Sequence, residues 1–183
     1  MVSNEEISVN KRNGRGKESL QIDKIHAMVG FATEGITGVS ASHVEMNSGI
    51  QLFDGISTAD IQQILIKSAN DLITLESPNY QYVAARLLLF SLRKQLFHRL
   101  WDHPKLIDHI KKLIDMGLYD KDILVNYDES EIDRMNMWID HERDYNFTYA
   151  GLRQVMDKYL VQDRSTGEIF ETPQFMYMMI SAT

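Results

Sequence analysis

Cysteine is absent from all 183 positions, which excludes disulfides, thiolate zinc sites, iron–sulfur ligation and thiolate or thiyl chemistry carried by this chain. Proline is scarce at three residues, and no Gly-, Ser- or Pro-rich linker, internal repeat or low-complexity run is present. Long apolar runs are missing as well. Leu87 to Phe90 and Met178 to Ile180 are the longest strongly apolar ones, far short of the roughly 20 residues of a bilayer span, so no membrane helix is predicted. Residues 1–20 carry Glu5, Glu6, Lys11, Arg12, Arg15, Lys17 and Glu18 with no apolar core among them, which excludes a secretory signal there. A cytoplasmic protein is expected. With 19 Lys+Arg against 26 Asp+Glu the net charge is -7, so neither nucleic acid nor an anionic membrane is an expected partner.

What is present is ordinary globular composition, 44% hydrophobic and 25% charged. Apolar and polar residues alternate over Ile7 to Arg12 and again from Glu18 to Ile22, around Asn13-Gly14; the pattern predicts an N-terminal hairpin. Ile25, Met28, Val29 and Ala32 fall at helical spacing between Asp23, read as a cap, and Gly35. A shorter helix is expected after Ser40, ending before Asp54-Gly55. Ile61, Ile64, Leu65, Ala69, Leu72 and Ile73 predict a helix over 58–75. Pro78 opens a long one whose stripe is Tyr80, Val83, Leu87, Phe90, Lys94 and Phe97. Further helices are predicted over 104–116, closed by Gly117, over 129–140, where Asp128 and Glu131 have capping-box spacing, and over 148–159. Leu160–Gln162 and Glu168–Phe170 read as a second hairpin. Pro104 suggests a boundary that divides the chain into 1–101 and 102–183.

Chemistry concentrates near the N-terminus. Lys11, Arg12, Glu18, Gln21 and Lys24 combine cations suited to phosphate with polar groups suited to a base or sugar. The helix starts at Asp23 and Thr58 add backbone N–H groups that favour anions. Lys94 is awkward on an apolar stripe: unpaired burial costs several kcal/mol, roughly, so composition alone favours an ion pair or a snorkelling stem over a ligand role. Gly14-Arg15-Gly16 lacks the third glycine and following helix of a dinucleotide loop, and no P-loop occurs. The six histidines show no zinc-protease spacing, and no metal site is expected. Asp140, Glu142, Arg143 and Asp144 read as a solvated helix end rather than a catalytic cluster. Tyr145, Phe147 and Tyr149 read as packing residues, and the Met176, Met178, Met179 tail as half of an interface or core that the chain leaves unfinished.

Several strings, in order, resemble one family. Val9-Asn10-Lys11-Arg12-Asn13-Gly14 and Leu20 to His26 resemble the opening of an ATP-cone. Gly55-Ile56-Ser57-Thr58-Ala59-Asp60-Ile61 and Pro78-Asn79-Tyr80-Gln81-Tyr82-Val83-Ala84-Ala85-Arg86 continue the match. Tyr159-Leu160-Val161 and Gly167 to Met176 resemble the entry to a catalytic barrel. The whole chain thus resembles the N-terminal part of the large (alpha) subunit of class I ribonucleotide reductase, of bacterial or bacteriophage type.

The resemblance implies an α+β, mostly helical fold: a bundle capped by a small N-terminal sheet over 1–101, then a helical segment leading into an incomplete barrel over 102–183. It implies ATP or dATP as allosteric effector, with Mg2+. It places the effector at Lys11 and Arg12, along Glu18, Ser19, Leu20, Gln21, Ile22, Asp23 and Lys24, and at Thr58, Gln62 and Lys94, which gives that lysine a phosphate to face. Gln21 stands where asparagine is common and Gln62 where dATP-inhibited members carry histidine; the loop at Arg15-Gly16-Lys17 is about one residue longer than usual. Nucleotide binding with weak or absent inhibition is one expectation these departures allow. The implied partners are the remainder of the large subunit and the radical-generating small (beta) subunit, in a hetero-oligomer. The catalytic cysteines cannot be here, so the chain is expected to be inactive alone, as part of a split or shortened subunit. A stand-alone nucleotide sensor and a structural interaction module are the alternatives.

Overall fold

A computed structural model describes residues 8–11, 16–49 and 55–183; the expected Asn13-Gly14 turn, and Arg12 with it, lie outside the described residues. The described chain is mostly helical with one small sheet, which is the α+β class expected. It forms two compact units, Met1–Ser91 with Thr148–Ala150 and Leu92–Phe147 with Gly151–Thr183. The division falls inside a helix, ahead of the 101/102 boundary suggested by Pro104.

In the first unit, strand β1 (Ser8–Asn10) is the middle strand of the sheet. It pairs antiparallel with β2 (Lys17–Ser19), placing Ser8 opposite Ser19, Val9 opposite Glu18 and Asn10 opposite Lys17. Its other edge pairs in parallel with β3 (Ile56–Ser57), Val9 beside Ile56 and Asn10 beside Ser57. Strand alternation turns Val9 and Ile56 inward together, at 3% and 2% exposure. The hairpin is as the alternation predicts, with shorter strands; β3 has no counterpart there because two residues carry no detectable period.

Among the described residues, three helices and the first part of a fourth accompany the sheet in this unit. Helix α1 (Ile22–Thr33) buries Met28, Val29 and Ala32 and stops ahead of Gly35, whose φ of +70° suits glycine. Its N-cap is Gln21 rather than the expected Asp23: Gln21 is extended at φ -106°, and Asp23 already lies in the first turn. Helix α2 (Ala41–Ser48) packs on α1 and on α3 (Thr58–Asp71), with the buried Ser68 hydroxyl donating to the Val44 carbonyl at 2.6 Å. Helix α4 (Tyr80–Phe97) buries Tyr80, Val83, Leu87 and Phe90 along the expected stripe, and each such burial contributes about 1.5–3 kcal/mol. Tyr80 is also tied by its hydroxyl to the Ser40 amide at 3.1 Å and to His43 Nδ1 at 3.2 Å.

The second unit holds the end of α4 and α5 (Leu106–Asp115), α6 (Ile123–Asn126), α7 (Glu129–Trp138), a 3-10 stretch His141–Asn146, most of α8 (Tyr149–Lys158), and α9 (Pro173–Ala182). Its core is Leu106, Ile107, Ile110, Ile123, Ile132 and Phe175. The Asp128–Glu131 capping box is formed in both directions.

Three expectations change here. The 140–144 charge run is not all solvated: Asp144 is 1% exposed and lies 3.8 Å from the equally buried Arg93. The methionine tail is not left unfinished, since Phe175 and Met176 are buried in this unit, Phe175 within its core, and Met178 and Met179 pack against that core, leaving Tyr177 and Ile180 outside. The second hairpin reduces to a single bridge, Gln162 with Ile169. Beside the two backbone bonds of that bridge, Asp163 amide to Glu168 carbonyl at 2.8 Å and Phe170 amide to Val161 carbonyl at 3.0 Å, the buried Glu171 carboxylate holds this segment, accepting from the Val161 amide at 2.7 Å and from the Tyr119 hydroxyl.

Candidate functional site

Lys11 follows the last residue of β1. Its amide donates to the Gly16 carbonyl at 2.9 Å, closing the turn, and its Nζ lies 3.0 Å from Glu18 Oε2. Val9 and Glu18 are register partners, so alternation brings Val9, Glu18 and Lys11 to one face. That face is apolar at Val9 and becomes an ion pair one step further on. The Lys11 hydrogen bond holds the Glu18 carboxyl below its ordinary range, against the upward effect of burial and with lesser help from the charges of Lys24 and Lys11.

Ser19 and Leu20 lead from β2 to Gln21, the N-cap of α1, which makes no side-chain capping bond. Lys24 donates its amide to the Gln21 carbonyl at 3.1 Å; Ile22 is half exposed at 49%. With no side-chain cap, the start of α1 keeps N–H groups suited to an anion, although Asp23 in its first turn answers part of the helix dipole. Lys11, Glu18, Gln21 and Lys24 are therefore gathered around the exit of β2, with ammonium groups, a carboxylate and a carboxamide between them.

Thr58 opens α3. Ladder strands lie about 4.8 Å apart, and Asn10 is the register partner of Ser57, so Lys11 and Thr58, each one residue further on, begin as neighbours. The helix starts at Thr58 as expected, but its first turn is capped. Ser57 caps it, accepting from the Asp60 amide at 3.0 Å while its hydroxyl donates to Asp60 Oδ2 at 2.7 Å. A carboxylate in that first turn already answers the helix dipole, so Thr58 contributes a side chain rather than an open helix end.

Gln62 lies one turn beyond Thr58 on α3, and Lys94 lies on α4. Gln62 is 1% exposed and donates to the Leu87 carbonyl at 2.9 Å, linking α3 to α4. Lys94 is half-buried on α4, in the part that groups with the second unit. Neither of two cavities in the second unit, about 460 and 430 Å3, is lined by an expected effector residue. Among the described residues no group of three or more His, Asp or Glu side chains is arranged to hold a metal ion, and no helix is long and apolar enough to cross a membrane.

Two positioning features were missed in the sequence reading. Asn10 Nδ2 donates to the Gly55 carbonyl at 2.6 Å, 45 residues away, and no local period announces such a contact. Ser57 as cap was readable in principle from Ser-x-x-Asp spacing.

Residues 7–95 match the model of the ATP cone domain, and residues 145–183 that of the ribonucleotide reductase all-alpha domain. The chain is 48% identical over 180 residues to the ribonucleoside-diphosphate reductase subunit alpha of Haemophilus influenzae, covering 98% of this chain and 24% of that protein. It is 46% identical over 179 residues to ribonucleoside-diphosphate reductase 1 subunit alpha of Escherichia coli, 98% of this chain and 23% of that one. With the subunit alpha of Enterobacteria phage T4 it shares 43% over 174 residues, 95% of this chain and 23% of the relative. The chain spans about a quarter of the length of these relatives.

Proposed function

Because residues 7–95 match an ATP cone and the chain is homologous along nearly all its length to the N-terminal part of reductase alpha subunits, we propose that it is the nucleotide-binding regulatory part of a ribonucleoside-diphosphate reductase. ATP or dATP is the effector, carrying Mg2+ as the counter-ion of its own phosphates. The enzyme converts ribonucleoside diphosphates to deoxyribonucleoside diphosphates for DNA synthesis in the cytoplasm. Residues 1–101 act as the regulatory cone and 102–183 as the helical entry to the catalytic domain. Reduction itself belongs to cysteines on the remainder of the alpha subunit, since this chain has none, with a beta subunit generating the radical.

The observation that carries this reading is the Lys11–Glu18 pair beside the open start of α1. Phosphate takes the ammonium groups of Lys11 and Lys24 and the first-turn amides; Glu18 and Gln21 offer hydrogen bonds to sugar or base. Thr58, next along from the Asn10–Ser57 pair, borders the same face. Gln62 and Lys94 complete the proposed set, Gln62 by exchanging its Leu87 bond for the ligand.

The test is calorimetric titration of the 183-residue chain with ATP and dATP. Saturable binding is expected, weakened about ten- to hundredfold by Lys11→Ala, the cost of one charge-assisted contact. No binding heat up to millimolar nucleotide would set the reading aside in favour of a structural module.

A further inference from the structure

We propose that Asn10 is a positioning residue of the effector site, fixing the spacing between Lys11 and Thr58; the inference rests on the reading of that site as a nucleotide site. The Gly55 peptide groups are both held by β1. Its amide donates to the Ser8 carbonyl at 2.8 Å, and its carbonyl accepts from Asn10 Nδ2 at 2.6 Å. Gly55 adopts φ +84°, so the chain turns sharply there before delivering β3, the Ser57 cap and Thr58.

The backbone alone ties this junction weakly. β3 is two residues long and pairs with β1 at only two positions, so one side-chain hydrogen bond is a large share of what fixes α3 against β1. The positions follow from that register. Asn10 pairs with Ser57, and the next residue on each side is a proposed ligand residue, Lys11 and Thr58. Loosening the junction therefore changes the distance between two groups that must meet one nucleotide together.

Alternation also separates Asn10 from the ligand. Val9, Lys11 and Glu18 share one face of the sheet, and Asn10 sits on the other. Its effect must pass through the Gly55 backbone. This distinguishes it from Lys11, which contacts the nucleotide directly in the same reading.

The experiment is a double-mutant cycle on the full chain, with ATP affinity by calorimetry and melting temperature by circular dichroism. Asn10→Ala is expected to weaken ATP about fivefold to tenfold, the worth of one lost hydrogen bond, with melting lowered by only a few degrees. Asn10→Gln, which keeps a carboxamide donor, recovers part of that loss. In a Lys11→Ala background Asn10→Ala costs little more, because the spacing it sets no longer serves a second group. Unchanged affinity in Asn10→Ala while Lys11→Ala weakens binding overturns the positioning role and leaves the nucleotide site standing. Additive losses, or a loss that tracks melting, also overturn it. If Lys11→Ala has no effect, the site reading fails and the inference fails with it.

Discussion

Arg93 donates from Nη1 to the Tyr145 hydroxyl at 2.9 Å, and its guanidinium carbon stands 5.0 Å from the centre of the same ring. Tyr145 thus receives a hydrogen bond and a cation–π contact from one side chain that is 1% exposed. Nη2 donates to the His141 carbonyl at 2.6 Å and comes within 3.8 Å of Asp144 Oδ2. That approach is too long for a hydrogen bond. Burial consequently pushes the Asp144 carboxyl up to about 6, outweighing Gln174, which donates at 2.8 Å, and the nearby Arg93 charge.

Arg93→Ala is expected to destabilise the chain by about 3–5 kcal/mol, because it strands a buried carboxylate and a carbonyl. Urea denaturation measures this. Adding Asp144→Asn should recover part of the loss, since no charge is then left without a partner; a double variant no better than Arg93→Ala would show that packing, not charge, dominates.

Burial foremost drives three imidazoles down: His103 to about 4, with help from Arg93, His109 to about 3, with help from Lys112, and His141 to about 3, with help from His103. The unfolded chain protonates them near pH 6.5, so their contribution is complete above about 6.5 and is lost as pH falls toward 3. The raised carboxyls Asp144 and Glu171 work in the opposite sense on acidification. His109, 2% exposed and stacked on Phe175 with ring centres 4.3 Å apart, accounts for a loss on the order of 3 kcal/mol by pH 4. His109→Phe should therefore lose less stability than the parent between pH 7 and pH 4.5, as read by urea midpoints. Equal losses would remove His109 from the acid response.

Ser57→Ala removes the cap of α3. It should cost about 1 kcal/mol and lower the melting temperature by a few degrees, with Ser57→Thr largely neutral. Should Ser57→Ala melt unchanged, the Asp60 amide bond would have no energetic weight.

Lys94→Ala is expected to weaken ATP about ten- to hundredfold while leaving the melting temperature nearly as it was. An unaltered ATP affinity would take Lys94 out of the effector set.

Residue pattern located the helices well because amphipathic stripes such as Tyr80, Val83, Leu87 and Phe90 are local and periodic. It also exposed the Lys11, Glu18, Gln21 and Lys24 group, since one hairpin exit brings them together within 14 positions. Where it failed, the deciding contact was distant. Arg93 reaches Tyr145 across 52 residues, so a charge run that looks solvated conceals a buried Asp144. Met176 looked unmatched because the helices that bury it precede it by dozens of positions. The role proposed for Lys94 rests on resemblance alone, since its stripe is compatible with a snorkelling stem.

The middle strand of the sheet is the first to be made and among the last that can be completed. β1 finds β2 within a few residues, but its other edge waits for residues 56–57, and the intervening chain must fold back before that ladder closes, a loop-closure cost that slows such pairings. The sheet should then form as a late event set by the docking of α3, not as a nucleus. A chain shortened past Asn10 would keep α1 to α4, yet leave β2 and β3 with no strand between them. Proteolysis just after Asn10 would accordingly erase the sheet while sparing most of the helical signal.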